Sequence, residues 1–227
     1  MRRFITLYRS TIGKKIIMSV TGLLFIGFVI AHMIGNLQIF VGQDKFDGYA
    51  AMLHGPLGDA LWALRIILFV AVILHITMAW QLARRARAAR PVGYHKRDPQ
   101  VSTLASRTMR WGGVLIAAFI VFHILHFTIG AIDPAHAFNR ADAMGRHDIY
   151  GNVVASFRIW WVSLLYVVSM IVLGFHLWHG AWSSPRSLGV AHPSEHPRRR
   201  RLSAIIAIGV SVGFILVPVA VFTGLVH

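Results

Sequence analysis

Four of the five long apolar segments of this chain carry a histidine deep inside them: His32, His75, His123 and His176. An imidazole that faces hydrocarbon leaves a donor and an acceptor unsatisfied, so a histidine within a membrane is a functional residue by default. Four histidines on separate segments predict two pairs of ligands. A low-spin haem iron takes two axial imidazoles from opposite sides, and helix-bundle cores are common haem sites. The alternative for any single histidine is a hydrogen-bonded packing role.

The composition places the chain in a membrane. It has 227 residues, of which 56% are hydrophobic and only 14% are charged, and its formal net charge is +15. A chain that binds nucleic acid carries its basic residues on a solvated face. Here they form short runs between apolar segments, so we predict no nucleic-acid partner. Because the chain has no cysteine, it cannot supply a disulfide, an iron–sulfur cluster or the covalent attachment of a c-type haem.

Five segments are long and apolar enough to form membrane-spanning helices, each of which needs about 20 apolar residues. We predict these helices at 16–40, 60–83, 111–132, 158–182 and 203–225. The connections between them, at 41–58, 84–110, 133–157 and 183–202, are too short for a further domain. We therefore predict a single all-α membrane domain over residues 1–227. No small-residue cleavage site follows the first segment, which indicates a retained helix rather than a signal peptide.

Positive charge is concentrated on one side of the predicted helices. Eighteen of the 23 lysines and arginines fall in the N-terminal segment and in two of the connections. They are Arg2, Arg3, Arg9, Lys14, Lys15, Arg84, Arg85, Arg87, Arg90, Lys96, Arg97, Arg107, Arg110, Arg186 and Arg198 to Arg201. By the positive-inside rule these segments are cytoplasmic. We therefore predict a cytoplasmic N-terminus and a C-terminus on the outer side of the membrane.

This orientation converts the positions of the histidines into depths, because an α-helix rises about 1.5 Å per residue. By this measure His75 and His176 lie about 14 to 15 Å from the cytoplasmic ends of their helices. His123 lies about 20 Å and His32 about 26 Å from that side. We therefore predict an inner pair, His75 with His176, and an outer pair, His32 with His123. Two ligand pairs at two levels describe a path for electrons across the membrane.

Two of the helices offer a second histidine three residues after the first: His126 after His123, and His179 after His176. Residues three apart share a helix face, so on spacing alone either histidine of each helix could bind the iron. The other histidine would then hydrogen-bond a haem propionate or fix the tautomer of its neighbour.

Two stretches of the sequence resemble a known family. They are SVTGLLFIGFVIAHMIGNLQIF, Ser19 to Phe40, and LGFHLWHGAWS, Leu173 to Ser183. Both are similar to the five-helix, di-haem cytochrome b membrane anchors of succinate dehydrogenase and fumarate reductase, and HDIY at His147 to Tyr150 also fits. In helix number, length and histidine placement, the resemblance extends over nearly the whole chain.

The resemblance implies two haem b groups and names their ligands. The axial ligands would be His32 and His123 for the outer haem, and His75 and His176 for the inner haem. It favours His176 over His179 because the family spacing is histidine, three residues, then glycine. It favours His123 over His126 by similar placement. His126 and His179 are then expected beside the haems rather than on the iron.

The resemblance also implies partners and a location. The partners would be a flavoprotein and an iron–sulfur subunit on the cytoplasmic side of a bacterial cytoplasmic (inner) membrane. They would oxidise succinate to fumarate in the tricarboxylic acid cycle. The electrons would reduce a quinone, and the resemblance points to menaquinone. Some fumarate reductases carry a glutamate just before the fourth-helix ligand, where this chain has Gly174 and Phe175. This difference favours succinate oxidation.

A quinone site is expected near the outer ends of the first two helices, within reach of the outer haem. The connection there supplies Asp47, Tyr49 and His54, and Arg65 lies near the outer start of the second helix. Quinone reduction takes up two protons, and histidine titrates near neutrality. The alternatives are a solvated loop histidine with an interfacial arginine, and a quinone site at the cytoplasmic end beside Ser19.

Two other protein classes remain as alternatives. One is the di-haem cytochrome b anchor of another dehydrogenase, of the hydrogenase or formate dehydrogenase type, which the two stretches fit less well. The other is a non-haem membrane protein such as a transition-metal permease. Imidazoles bind transition metals, but the predicted helices contain no acid or thiol that would support a transport path.

Overall fold

The computed structural model describes residues 6, 8–89, 92, 103–190 and 196–227. Within them, five helices are long and apolar enough to cross a membrane. These are α1 (Thr11–Leu37), α3 (Gly58–Ala88), α4 (Leu104–His123), α6 (Trp160–Ser187) and α7 (His196–Phe222), and the shorter helices are α2 (Gln43–His54) and α5 (Ile149–Phe157). A 3₁₀ turn, Gln38–Val41, follows α1, and a π-helical turn, Ile124–Ile129, follows α4. The predicted all-α, multi-pass membrane architecture is confirmed.

The spanning helices extend beyond their apolar stretches on the basic side. Helix α3 ends at Ala88 rather than near residue 83, and α4 begins at Leu104 rather than near residue 111. Hydropathy marks the bilayer core, whereas arginine and alanine are good helix formers that continue a helix into water. Thr103 caps α4, since its hydroxyl accepts a hydrogen bond from the Ser106 backbone N–H at 3.2 Å. Arg2, Arg3, Arg90, Lys96 and Arg97 lie outside the described residues.

Two segments that we predicted as loops contain helices, so that part of the prediction is wrong. Helix α2 occupies most of the connection 41–58, and α5 occupies the end of the connection 133–157. Gly42, with φ +118°, separates α2 from the turn before it. Asp148 caps α5 by accepting a hydrogen bond from the Gly151 N–H at 2.6 Å. Both helices are too short and α2 is too polar to cross a membrane, so hydropathy alone does not detect them.

The spanning helices pack in a defined order. Helix α1 packs against α3, α6 and α7, and helix α6 packs against α1, α4 and α7. Among the described residues, α1 and α4 are not in close backbone contact along their lengths, and neither are α3 and α6. Each of these two separated pairs carries one predicted histidine pair. The histidines must therefore meet across the bundle rather than along a packed helix interface.

The two ends of the bundle differ in chemistry. At the basic end, Arg85 donates hydrogen bonds to the Thr11 hydroxyl at 3.2 Å and to the Arg9 carbonyl at 2.7 Å, which ties α3 to the start of α1. At the opposite end, α2 and α5 pack together with the C-terminus, where the Tyr150 hydroxyl donates to the His227 carbonyl at 3.2 Å. The N-terminal and C-terminal ends of the bundle thus lie on opposite sides, as five crossings require.

Much of the apolar surface of the spanning helices is exposed, as expected where lipid surrounds the protein. On α3, Trp62, Ile66, Phe69 and Val70 each expose half or more of their surface. The buried apolar core lies instead toward the end opposite the basic one, where α5 packs on α2, α6 and α7. We call this the acidic end, because it carries Asp44, Asp47, Asp59, Asp133, Asp142 and Asp148. It contains Ile39, Phe46, Val153, Val154, Phe157, Val162, Tyr166, Val217 and Val221.

Candidate functional site

The inner pair of histidines meets across the bundle. The ring centroids of His75 on α3 and His176 on α6 lie 6.2 Å apart, with an interplanar angle of 56°. Glycines face both rings: a Cβ at Gly22 would lie 3.4 Å from His75 Cε1, and a Cβ at Gly113 would lie 3.8 Å from His176 Cε1. The helix backbones can approach the rings at these two positions because no side chain intervenes.

The outer pair has the same arrangement. The ring centroids of His32 on α1 and His123 on α4 lie 5.9 Å apart, with an interplanar angle of 75°. Phe28 stacks on His32 at 5.4 Å, and Phe119 stacks on His123 at 5.9 Å. The structure thus brings together the same two pairs that the depth calculation grouped, and aromatic rings surround the outer one.

The spacing of each pair fits two imidazoles on one metal ion. Imidazoles that bind a metal from opposite sides, with metal–nitrogen distances of about 2.0–2.1 Å, have ring centroids about 6 Å apart. His176 Nδ1 is buried without a hydrogen-bond partner in the described part of the chain. That part also contains no cluster of three or more histidine or acidic side chains that could hold a bare metal ion. Two imidazoles suffice for a haem iron, whose porphyrin supplies the remaining four ligands.

The second histidine of α4 is held differently from the first. His126 lies in the π-helical turn and is 1% exposed. Its Nδ1 lies 3.0 Å from the Tyr166 hydroxyl, and its Nε2 lies 3.1 Å from the Ser156 hydroxyl. Both ring nitrogens are therefore engaged within the protein. This arrangement suits a supporting role for His126 and leaves His123, with one nitrogen 3.3 Å from the same tyrosine hydroxyl, as the candidate ligand of α4.

The second histidine of α6, His179, lies one turn closer to the basic end than His176. Its Nδ1 is buried, with no hydrogen-bond partner among the residues that the structure describes. Its ring meets the Trp182 ring edge to face, with centroids 6.3 Å apart. His179 therefore has an unsatisfied polar atom beside the inner pair, as expected of a residue that contacts the edge or propionate of a bound group.

The predicted quinone-site residues do not form one cluster. His54 and Arg65 are together, since Arg65 Nη2 lies 3.4 Å from His54 Nε2, and Arg65 also stacks over the Trp62 ring at 5.0 Å. Tyr49 instead packs on α1, where a Cβ at Gly35 would lie 3.0 Å from its Cε1. Asp47 faces α5. Because α2 is a helix, it presents these side chains on different faces. A quinone site that involves them stays a prediction.

Asp47 has a structural environment of its own. It is 1% exposed, and its Oδ1 accepts the Tyr150 backbone N–H at 2.8 Å, while Oδ2 is buried without a partner among the described residues. Desolvation raises the pKa of Asp47, although the Tyr150 N–H opposes the increase. A buried carboxylate with one free oxygen is costly to ionise. The hydrogen bond of Asp47 thus joins α2 to α5, and the carboxyl that accepts it has a raised pKa.

Acidic side chains hold the loop between the π-helical turn and α5 in place. Arg146 binds the Asp142 carboxylate at 2.6 Å and the Asp44 carboxylate of α2 at 3.0 Å. Desolvation alone would raise the pKa of Asp142, but its hydrogen bond from the Arg146 guanidinium lowers it. At Asp133, too, desolvation would raise the pKa, but hydrogen bonds from the backbone N–H groups of Phe138 and Ala137 lower it. These contacts attach the loop to the acidic end of the bundle.

The sequence interpretation missed two residues that contact the histidines. Tyr166 of α6 lies between His123 and His126, and the Thr21 hydroxyl of α1 lies 3.0 Å from His75 Nδ1. A signal was available for the tyrosine, because a buried Tyr hydroxyl within an apolar helix needs a hydrogen-bond partner. Thr21 gave no such signal, since a threonine within a helix commonly bonds its own backbone.

Comparisons of the chain with protein-family models, with curated proteins and with solved structures found no match.

Proposed function

We propose that this chain is the membrane anchor and electron-transfer subunit of a succinate:quinone oxidoreductase. Its partners are a flavoprotein subunit and an iron–sulfur subunit that carry out the dicarboxylate chemistry at the cytoplasmic face of a bacterial inner membrane. Bound between the helices, two b haems would supply the one-electron steps that link the iron–sulfur subunit to a quinone, for which we propose menaquinone. The sequence resemblance supports the identity of the complex, and the two histidine pairs support its cofactors.

The observation that carries the proposal is the pairing of imidazoles from helices that do not pack side by side. His75 and His176 would hold the inner group, and His32 and His123 the outer one. The spacing of each pair fits bis-imidazole ligation. A packing role would have to bring two histidines from separate helices together twice in one bundle. The chain's own contribution is axial ligation, burial and local polarity, which set the potential of a bound haem.

The basic end offers the surface for the partner subunits. Arg84, Arg85 and Arg87 at the end of α3 are exposed, as are Arg198 and Arg200 at the start of α7. Such a surface attracts anionic lipid headgroups and also complements acidic protein surfaces. The inner histidine pair lies toward this end, so an electron donor docked here would reach His75 and His176 before the outer pair.

His54 and Arg65 form the proposed quinone contact at the opposite end. Arg65 would orient a quinone oxygen. His54 directs its Nδ1–H to the Ala50 carbonyl at 2.9 Å and accepts from Arg65 at Nε2, so it would act as a proton relay, taking up a proton from solvent at Nε2 in place of the Arg65 hydrogen bond and passing it to the quinone oxygen. Asp47 and Tyr49 are part of the structural support of this region, where they join α2 to α5 and α1.

A reduced-minus-oxidised spectrum of the chain expressed with its genomic neighbours tests the proposal. We expect a b-type α band from two haems per chain, covalent flavin in the purified complex, and succinate-driven quinone reduction. Haem without flavin or succinate activity would indicate an anchor for another dehydrogenase, such as a hydrogenase or formate dehydrogenase. The absence of any b-type band from a folded, membrane-inserted chain would refute the haem sites.

A further inference from the structure

One histidine of each pair contacts a hydroxyl group through its Nδ1 atom. Thr21 Oγ1 lies 3.0 Å from His75 Nδ1, and the Tyr166 hydroxyl lies 3.3 Å from His123 Nδ1. A neutral imidazole carries one N–H, and only the other nitrogen has a lone pair for a metal. The direction of each hydrogen bond therefore decides whether Nε2 can act as a ligand.

The direction at the inner pair follows from the backbone of α1. Thr21 Oγ1 lies 2.8 Å from the Ile17 carbonyl oxygen and 3.1 Å from the Met18 carbonyl oxygen. A carbonyl oxygen only accepts, so the single hydroxyl proton of Thr21 is directed to the backbone. Thr21 can then only accept from His75. The proton of His75 is on Nδ1, and its Nε2 is bare.

The direction at the outer pair follows from a chain of buried hydrogen bonds that begins at Asn152. The Ser156 hydroxyl donates to Asn152 Oδ1 at 3.4 Å, so it must accept from His126 Nε2–H at 3.1 Å. His126 Nδ1 is then bare and accepts the Tyr166 hydroxyl proton at 3.0 Å. The Tyr166 oxygen is left to accept from His123 Nδ1–H. The result is again a bare Nε2, on His123.

This chain of hydrogen bonds is closed to solvent. His126, Ser156 and Asn152 are each at most 1% exposed, and Tyr166 is 7% exposed. The π-helical turn after His123 places His126 against both hydroxyls, and π-helical turns often occur at functional sites. Since water does not reach these groups, their hydrogen-bond directions are set by one another and by the Asn152 amide.

We propose that Thr21 and Tyr166 are positioning residues that hold His75 and His123 as the Nδ1–H tautomer and so present Nε2 of each ring to a metal. This inference rests on the proposed haem ligation by these two histidines. An acceptor on the second ring nitrogen makes a ligating imidazole more basic, which favours the oxidised metal. Loss of the acceptor is therefore expected to raise the midpoint potential of the haem held by that histidine.

The test is a redox titration of both haems in the purified complex, with Thr21→Val and Tyr166→Phe. We expect Thr21→Val to raise only the inner midpoint potential and Tyr166→Phe to raise only the outer one, with both haems retained. Ser169→Ala is the matched control. It removes a hydroxyl from α6 that donates to the Leu165 carbonyl at 2.7 Å and has no hydrogen bond to a histidine in the described part of the chain, so neither potential should change.

Unchanged potentials in both variants would overturn the inference, and so would an equal shift of both haems by either one. If Tyr166→Phe loses the outer haem, Ser156→Ala is the deciding variant, because it removes the acceptor for His126 Nε2–H. We expect it to raise the midpoint potential of the outer haem alone. An unchanged outer potential would overturn the role of Tyr166. Should Thr21→Val lose the inner haem, Thr21→Ser must restore both haem and potential, or the role of Thr21 is overturned. A wild-type complex without haem would instead refute the proposed function.

Discussion

The imidazole rings of His75 and His176 lie 6.2 Å apart although the helices that carry them are not packed side by side. Where helices of this bundle do pack closely, small groups meet. Ser211 of α7 lies against Gly174 of α6 and donates a hydrogen bond to the Met170 carbonyl at 3.1 Å. The helices that carry each histidine pair are therefore kept apart, whereas α6 and α7 pack closely.

Substitution of the histidines should remove the two proposed haems independently. We expect His75→Ala and His176→Ala to lose the same inner haem, and His32→Ala and His123→Ala to lose the same outer haem, because a six-coordinate site requires both axial ligands. Each variant should retain about one of the two haems, measured by pyridine haemochrome content and by redox titration of the remaining species.

The second histidines provide the matched controls for this experiment. His126→Ala and His179→Ala should keep both haems, since the first ring has both nitrogens engaged within the protein and the second lies one turn from the inner pair. Full haem content after alanine replaces His32, His75, His123 or His176 would remove that residue from the ligand set.

Filling the space beside His75 should affect the inner site alone. A Cβ at Gly22 would lie 3.4 Å from His75 Cε1, so the longer side chain in Gly22→Leu must displace the ring or occupy the space beside it. We expect this variant to lose the inner haem and retain the outer one. Gly27→Leu is the control on the same helix, because a Cβ there has nothing within 4 Å. Equal haem contents in the two variants would argue against a group bound at His75.

The number of spanning helices and the grouping of the histidines could be predicted because both follow from one-dimensional rules. About 20 apolar residues are needed for a crossing, and a rise of about 1.5 Å per residue converts sequence distance into depth. These rules place His75 with His176 and His32 with His123 without any knowledge of helix packing. The helix ends could not be predicted this way, because Arg84 to Arg87 prolong α3 into water without adding hydropathy.

The supporting contacts could not be predicted because they depend on where helices cross. Tyr166 lies 40 residues from His126 along the chain, and their contact exists only because α6 and the π-helical turn meet. The separation of Asp47 from His54 likewise required knowing that residues 43–54 form a helix. In a loop, the two side chains could have faced the same site.

The orientation of the chain in the membrane can be measured directly. Reporter fusions after Arg90 and after Arg199 should report the cytoplasm, and fusions near Lys45 and Arg146 should report the outer side, because basic segments are retained inside. Arg146 and the α2 residue Asp44 form an ion pair, so the last two fusion sites must agree with each other. The opposite result at these four sites would reverse the assignment of inner and outer pairs.

The buried carboxyl of Asp47 should make stability depend on pH. Its pKa is raised above the usual 3.8 because desolvation disfavours the charged form. The folded state therefore binds this proton more tightly than the unfolded state does. The contribution of Asp47 to stability is full below about pH 4 and is lost as pH rises through the raised pKa. Thermal unfolding in detergent at several pH values should show this loss in the wild type.

Two substitutions separate the charge of Asp47 from its hydrogen bond. Asp47→Asn keeps an oxygen for the Tyr150 N–H and should remove the pH dependence without destabilising the protein at neutral pH. Asp47→Ala also lacks the pH dependence but leaves that N–H unpaired, so it should be about 1–3 kcal/mol less stable than Asp47→Asn at every pH. A pH profile of Asp47→Asn identical to that of the wild type would mean that another group causes the dependence.

The proposed quinone contact is tested at His54, whose Nε2 lies 3.4 Å from Arg65 Nη2. His54→Ala removes the proposed proton donor and should lower succinate-driven quinone reduction about tenfold or more while leaving the haem spectrum unchanged, because positioned proton transfer contributes at least that much. Arg65→Ala should lower turnover as well, since it removes the guanidinium that holds the imidazole. His227→Ala is the control, because it removes an exposed imidazole at the same end but keeps the carbonyl that accepts from Tyr150. Normal turnover in both His54→Ala and Arg65→Ala would move the quinone to the basic end, where Ser19 is buried on α1 within one turn of Thr21.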